Sequence, residues 1–186
     1  MTKKSCLDLD GKLEFCWPKI FRPCGESTLD KEPFDIWWNR NRRLLSHLPA
    51  DLCEQWVYRH WAHSPFGFLP LDTLQWKREK WEGAALLSKV YRAWGGDLSP
   101  QFDYDTFQRQ GGDDRHQTAI ALDAGTWDYP MVVLSTPYGV RNSGKEHLGV
   151  RFVIVEGHQR HRYLNALHFL GRPPTGPHEV IILHTA

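Results

Sequence analysis

With 186 residues and a mass of 21.7 kDa, the chain has room for one domain, or one domain with a helical extension. Its 23 Lys+Arg against 22 Asp+Glu leave a formal charge of +1. No global excess therefore draws it to nucleic acid or an anionic membrane, and any such contact needs a local patch. Hydrophobic residues at 41%, with nine Trp, supply a core and exclude a disordered chain.

The longest apolar runs are four residues, as in Met131 to Leu134 and Val180 to Leu183. That excludes a transmembrane helix and a signal-peptide core. With no targeting pattern at the N-terminus, the expected compartment is the cytoplasm, bacterial or phage. Cys6, Cys16, Cys24 and Cys53 contain no Cys-x-x-Cys pair, so free thiols are expected in a reducing compartment. A zinc site built from three of them is the alternative, although the spacings fit no common ligand framework.

Residues 1 to 33, broken by Pro18, Pro23, Gly25 and Pro33, read as a short hairpin or a docked arm. Helical periodicity starts at Pro33, with Trp37, Asn41, Leu44, Leu45 and Leu48, and Pro49 ends it. A second helix is expected over Ala50 to Ala62, with Leu52, Cys53, Trp56, Val57, His60 and Trp61 on its stripe. The arm and this helical hairpin, residues 1 to 65, form a subdomain expected to pack on the remainder, 66 to 186. Packing there is the first use for the tryptophans. The other is an exposed patch of Trp37, Trp38, Trp56 and Trp61 for a protein partner.

Residues 64 to 71 are too rich in Pro and Gly for helix. Asp72 with Gln75 looks like a capping box, so helix is expected over Thr73 to Trp94, broken near Gly83 and stopped by Gly95-Gly96. Residues 97 to 118 read as a surface loop with one helical turn at Asp105 to Gln108. Strands are expected at Met131 to Leu134, Phe152 to Val155 and Val180 to Leu183. Between the first two lies a turn-rich connection from Tyr138 to Leu148. Between the last two, Gly157 to Leu170 is helical and Gly171 caps it. Strand, helix, strand makes a βαβ unit, and the class is α/β in the mixed, α+β sense, a small mixed sheet with an N-terminal helical subdomain.

The densest chemistry lies in residues 152 to 167, Phe-Val-Ile-Val-Glu-Gly-His-Gln-Arg-His-Arg-Tyr-Leu-Asn-Ala-Leu. A strand ends at Glu156, Gly157 turns sharply, and a helix begins. The free N–H groups and dipole of a helix N-terminus favour an anion. His158, Arg160, His161 and Arg162 crowd the same turn and oppose the dipole unless an anion sits there. Arg160 shares the stripe of Leu164 and Leu167, so its guanidinium needs a partner, either a carboxylate such as Glu156 or a bound phosphate.

These residues resemble the signature of the ParB/sulfiredoxin-like superfamily: an apolar strand, Gly-x-x-Arg opening a helix, Ala and Leu-Gly, then a final strand. Gly157, His158, Arg160, Ala166, Leu170-Gly171 and Val180 to Leu183 match in order. Thr126 to Pro130 before Met131 resembles the family's Pro-led strand, and Leu69 to Leu74 its opening segment. The clear match covers about residues 126 to 184. The ParB-like nuclease and NTPase branch, with Gly-His-x-Arg, is the nearest pattern.

The resemblance implies that Gly157 and Arg160 bind the phosphates of ATP or CTP, with His158, Thr126 and Pro130 lining the site. Mg²⁺ held mainly by nucleotide phosphates is expected with it, because Mg²⁺ needs only one or two carboxylates, with Glu156, Asp128 and Asp72 as candidates. Sulfinic-acid repair is excluded, because His158 replaces the sulfiredoxin cysteine. A DNA-partition clamp is not expected, because no helix-turn-helix follows. The expected function is a nucleotide-dependent enzyme, an NTPase or kinase or a nuclease, with Glu156 or His158 as base. DNA is a further expected ligand. The alternatives are a non-catalytic nucleotide- or DNA-responsive module, or an accessory protein of a mobile element or defence system. Two other features stay open. His158 with His161, and His60 with His63, have metal-ligand spacing without a third ligand. The loop Gly139 to Gly144 before Lys145 either closes over phosphates or simply connects.

Overall fold

A computed structural model describes residues 6–11, 13–25, 30–109 and 117–185. The fold is mixed α+β, with two mixed sheets. The chain opens with strand β1 (Leu7–Asp8) and a 3₁₀ turn at Lys19–Phe21. Helix α1 (Phe34–Asn41) starts after Pro33 as expected but ends earlier, giving way to turns and bends over residues 42–48. Helix α2 (Ala50–Leu52) continues as a π-helical segment, Cys53–Tyr58.

The region expected to be one long helix is mostly otherwise. Gln75–Trp81 is strand β2, followed by the short helix α3 (Gly83–Lys89) and strand β3 (Val90–Tyr91). The period is two: Lys77 pairs with Glu79 at 2.6 Å, and Trp81 Nε1 donates to Glu79 at 2.7 Å, which places i, i+2 and i+4 on one face. The charged run suits an edge strand, whose Lys and Arg discourage further pairing. Thr73 lies in a turn, its N–H donating to Pro70, so Asp72 caps no helix here.

Helix α4 (Pro100–Arg109) replaces the single turn expected at Asp105 to Gln108. Pro100 occupies the first helical position, where its missing N–H costs nothing. Asp103 reaches back to accept from Ser99 N at 3.2 Å. Residues 111 to 114, read as loop, lie outside the described residues. Helix α5 (Gln117–Asp123) follows, then strands β4 (Met131–Ser135), β5 (Val140–Asn142), β6 (Lys145–His147) and β7 (Phe152–Glu156). Helix α6 (His158–Phe169) and strand β8 (His178–His184) complete the chain. The expected strand, helix, strand over 152 to 184 is present. Its two strands share a sheet, with β4 between them.

The structure divides into two compact units. One comprises Lys12–Trp76 with Leu183–Ala186. Its core is aromatic: Trp17 meets Trp56 edge-on at 5.0 Å and Trp61 at 5.5 Å, while Phe34 stacks on Trp37 at 5.8 Å. Indole N–H groups are satisfied by backbone, Trp17 to Leu69 O and Trp37 to Phe21 O. Trp37, Trp56 and Trp61 are buried and Trp38 half-buried, so the four do not form the exposed patch considered above.

The other unit comprises Met1–Gly11 with Lys77–Ile182. It holds most of the five-stranded sheet, in the order β2-β8-β4-β7-β3. Strand β7 runs parallel to β3 and antiparallel to β4, with an irregularity between Val132 and Val133. Leu86, Met131, Val133, Ile154, Leu164, Leu167, Val180 and Ile182 form its core. Helix α4 packs on α6 through Phe107 and Tyr163, edge-on at 4.9 Å. Gly157 joins the end of β7 to the start of α6, close to Met131 at the start of β4.

The connection expected between Tyr138 and Leu148 is a hairpin. Strands β5 and β6 are antiparallel, and β1 joins β5 in parallel to complete a three-stranded sheet. Ser143 and Gly144 both have positive φ, 54° and 72°, as a type I′ turn requires. Asp10 accepts from Ser143 N at 2.6 Å and Gly144 N at 2.8 Å, pinning the turn to the N-terminal strand. Asp10→Ala should lower unfolding stability by about 1 kcal/mol, the typical contribution of an exposed side-chain cap. Equilibrium urea unfolding reads this directly, and Asp10→Asn should recover part of the loss.

Candidate functional site

The site is built where β7 turns into α6. Gly157 sits at φ 105°, ψ 23°, a left-handed conformation that an L side chain adopts at a cost of roughly 1–2 kcal/mol. A Cβ there would also lie 3.2 Å from Met131 Cγ. Glycine is thus required twice, by φ and by the close approach of β4. No described side chain caps α6, and no acidic residue occupies its first turn. The positive end of the helix dipole is left to something else.

Arg160 is buried, as the apolar stripe predicts. Its Nε donates to Asp128 Oδ1 at 3.3 Å, and its Nη1 stands 3.7 Å from Glu156 Oε1. Tyr129 lies under the guanidinium at 5.9 Å. Thr118 Oγ1 of α5 donates to the same Asp128 oxygen at 3.1 Å. Of the two partners that its burial demanded, the carboxylates are therefore the ones in place.

The other cations of the turn differ among themselves. Arg162 donates through Nε and Nη2 to the buried carboxylate of Asp103, at 2.9 and 2.6 Å, and through Nη1 to Gly95 O. Arg92, just past β3, holds Gly95 and Gly96 through Nη2, at 2.9 and 2.7 Å. Its Nε is fully covered and has no hydrogen-bond partner among the described residues. Burial, and then Arg162, push the Arg92 pKa down. His161 is 4% exposed, and neither ring nitrogen has a hydrogen-bond partner among the described residues. Burial first, then Arg92 and His158, push its pKa from 6.5 down to about 4. His158 is half-buried beside the Gly95 turn, where a Cβ on Gly95 would lie 3.7 Å from its ring and 3.2 Å from Arg92 Nη2.

The structure thus brings together Gly157, His158, Arg160, Glu156 and Asp128. Pro130 is buried next to Met131, which touches Gly157. Thr126 is engaged elsewhere, donating to Pro177 O at 3.3 Å and meeting His178 Nδ1 at 3.2 Å. Asp72 belongs to the other compact unit. Arg92, Gly95 and Asp103 were not singled out by the sequence. Only the Gly95-Gly96 pair hinted at a tight turn, and nothing in spacing relates residue 92 to residue 161.

Among the described residues, no group of three or more His, Cys, Asp or Glu side chains is placed to hold a metal. The cysteines are free, Cys6 in one unit and the rest in the other. Burial pushes the Cys53 thiol up to about 12. Both carboxylates near Gly157 face Arg160, so this corner does not fit a resident Mg²⁺. No helix is long and apolar enough to cross a membrane among the described residues. Comparisons with protein-family models, with curated proteins and with solved structures gave no match to this chain.

Arg160→Ala should destabilise the fold by about 2–3 kcal/mol, because it strands Asp128 and Glu156 beside a vacated space. Denaturant unfolding measures this, and Arg160→Lys should recover only part, since the planar fork is lost. A pH titration gives a second test. His161 stays neutral in the fold down to about pH 4, whereas the unfolded chain takes up its proton near 6.5. Its contribution to stability is therefore complete above pH 6.5 and is lost as the pH falls from there to about 4. The melting temperature should drop over that window, and less steeply in His161→Phe.

Proposed function

We propose that the chain binds the phosphates of a nucleotide at the N-terminus of α6, with Arg92, His158 and His161 as side-chain donors. One observation carries this reading: among the described residues, Arg92 Nε–H and the ring N–H of His161 are buried donors without acceptors, beside a helix start with no side-chain cap. A buried unsatisfied donor costs about 1–3 kcal/mol, and one phosphate group satisfies several. The Gly157 turn supports the same reading, because the first-turn N–H groups that follow it receive no side-chain cap from the described residues.

Arg160 then has a different part from the one the family resemblance implies. Its guanidinium is held by Glu156 and Asp128, so it fixes the turn rather than meeting the ligand. The resemblance to the ParB/sulfiredoxin-like fold favours ATP or CTP among phosphate ligands. Mg²⁺ arrives with the nucleotide, held mainly by phosphate oxygens. Where hydrolysis follows binding, Glu156 or His158 accepts the proton of the attacking water, and the cationic turn stabilises charge on the phosphoryl oxygens. A binding module without turnover uses the same cradle.

Calorimetric titration with ATP, CTP, GTP and inorganic phosphate, with and without MgCl₂, tests the reading. One nucleotide should bind one per chain. Arg92→Ala and His158→Ala should each weaken it about tenfold or more, as expected for a charge-assisted contact. Failure of every ligand to bind sinks the proposal. Phosphate release during incubation separates an enzyme from a binding module.

A further inference from the structure

A second pair of imidazoles lies outside the α6 N-terminus. His168 is near the C-terminal end of α6, and His178 begins β8. Both approach Gly83, at the start of α3. A Cβ on Gly83 would lie 2.6 Å from His168 Nε2 and 3.4 Å from His178 Nε2, so the two nitrogens are within about 6 Å of each other. Both Nε2 atoms are buried and have no hydrogen-bond partner among the described residues.

Thr126 Oγ1 stands 3.3 Å from Pro177 O and 3.2 Å from His178 Nδ1. With the hydroxyl proton on Pro177 O, it accepts from Nδ1–H of His178, which leaves a lone pair on Nε2, near Gly83. The ring cannot easily turn away, because Trp127 stacks on it at 4.3 Å between centroids. The ring is fully buried. A neutral imidazole, its far N–H fixed by a hydrogen bond and its near lone pair unused, has the arrangement of a metal ligand with its outer shell in place.

We propose that His168 and His178 form a two-imidazole site for a transition-metal cation, with Zn²⁺ and Cu⁺ the fitting probes. Imidazole suits both, with metal–nitrogen distances near 2.0–2.1 Å, so two ligands of one ion stand about 3–4 Å apart. That is inside the separation the geometry sets. The absence of a side chain at Gly83 keeps the approach open, since even a methyl group would press on His168 Nε2.

Zn²⁺ titration of the full chain against a chromophoric chelator, followed by ¹⁵N NMR of the ring nitrogens, tests the site. One equivalent should bind, shifting the Nε2 signals of His168 and His178 while their Nδ1 signals move little. His168→Gln and His178→Gln should each weaken binding at least tenfold, and His63→Ala, in the other unit, should not. The NMR arm needs no variant, so an unfolded mutant leaves the test intact. Zn²⁺ binding with unchanged Nε2 signals at these two residues, or no binding of Zn²⁺ or of Cu⁺ under reducing conditions, overturns the proposal.

Discussion

The ion pair of Arg160 with Asp128 and Glu156 is the constraint on which the candidate site depends. It joins three parts of the chain that are remote in sequence: the first turn of α6, the end of β7 and the segment leading into β4. Thr118 adds α5 through the same Asp128 oxygen. A buried guanidinium is costly to desolvate, and a hydrophobic residue of similar volume often serves stability as well. Its distinctive contribution is geometric, since one planar fork fixes where two carboxylates and a helix start lie relative to one another.

That pairing decides how the remaining charges are arranged. Arg160 is balanced by Asp128 and Glu156, and Arg162 by Asp103. Arg92 and His161 have no comparable hydrogen-bonded neutralisation: Arg92 spends its Nη2 on carbonyls, and His161 keeps both nitrogens covered and unused. The opposed dipole and cations of this turn are thus only half resolved by the protein itself.

The α6 segment was legible in the sequence because its signals are local. A four-residue apolar run, a glycine at the turn and a leucine stripe all act within a few residues, and strand, helix and strand lie where those signals put them. The burial of Arg160 was legible for the same reason. Local rules failed where tertiary pairing outweighed them. Gln75–Trp81 has helix-forming Lys, Arg and Glu, yet it is an edge strand, joined across to β8 by Arg78 and Glu179 at 2.8 Å. The hairpin at Ser143-Gly144 was hidden because its anchor, Asp10, is more than a hundred residues away. The nearness of Arg92 to α6 was unreadable because β3 is placed by its parallel pairing with β7, about sixty residues on.

Buried polar atoms without partners recur in this protein, and their surroundings give them different meanings. In the tryptophan-rich unit, Gln55 has both amide atoms covered and unpartnered, and Asn41 has its Oδ1 so. Both are fully buried in a π-helical and α-helical setting. An amide offers donor and acceptor together and stays neutral at every pH, so it selects no sign of charge. Around His161, both ring nitrogens lack a hydrogen-bond partner among the described residues, and Arg92 and His158 flank the ring. Around His178, Nδ1 meets Thr126 Oγ1 at 3.2 Å and Nε2 has no hydrogen-bond partner among the described residues. Two covered histidines in one unit thus differ in their surroundings. The difference lies in which atom each neighbour leaves unused, and the residue type alone does not reveal it.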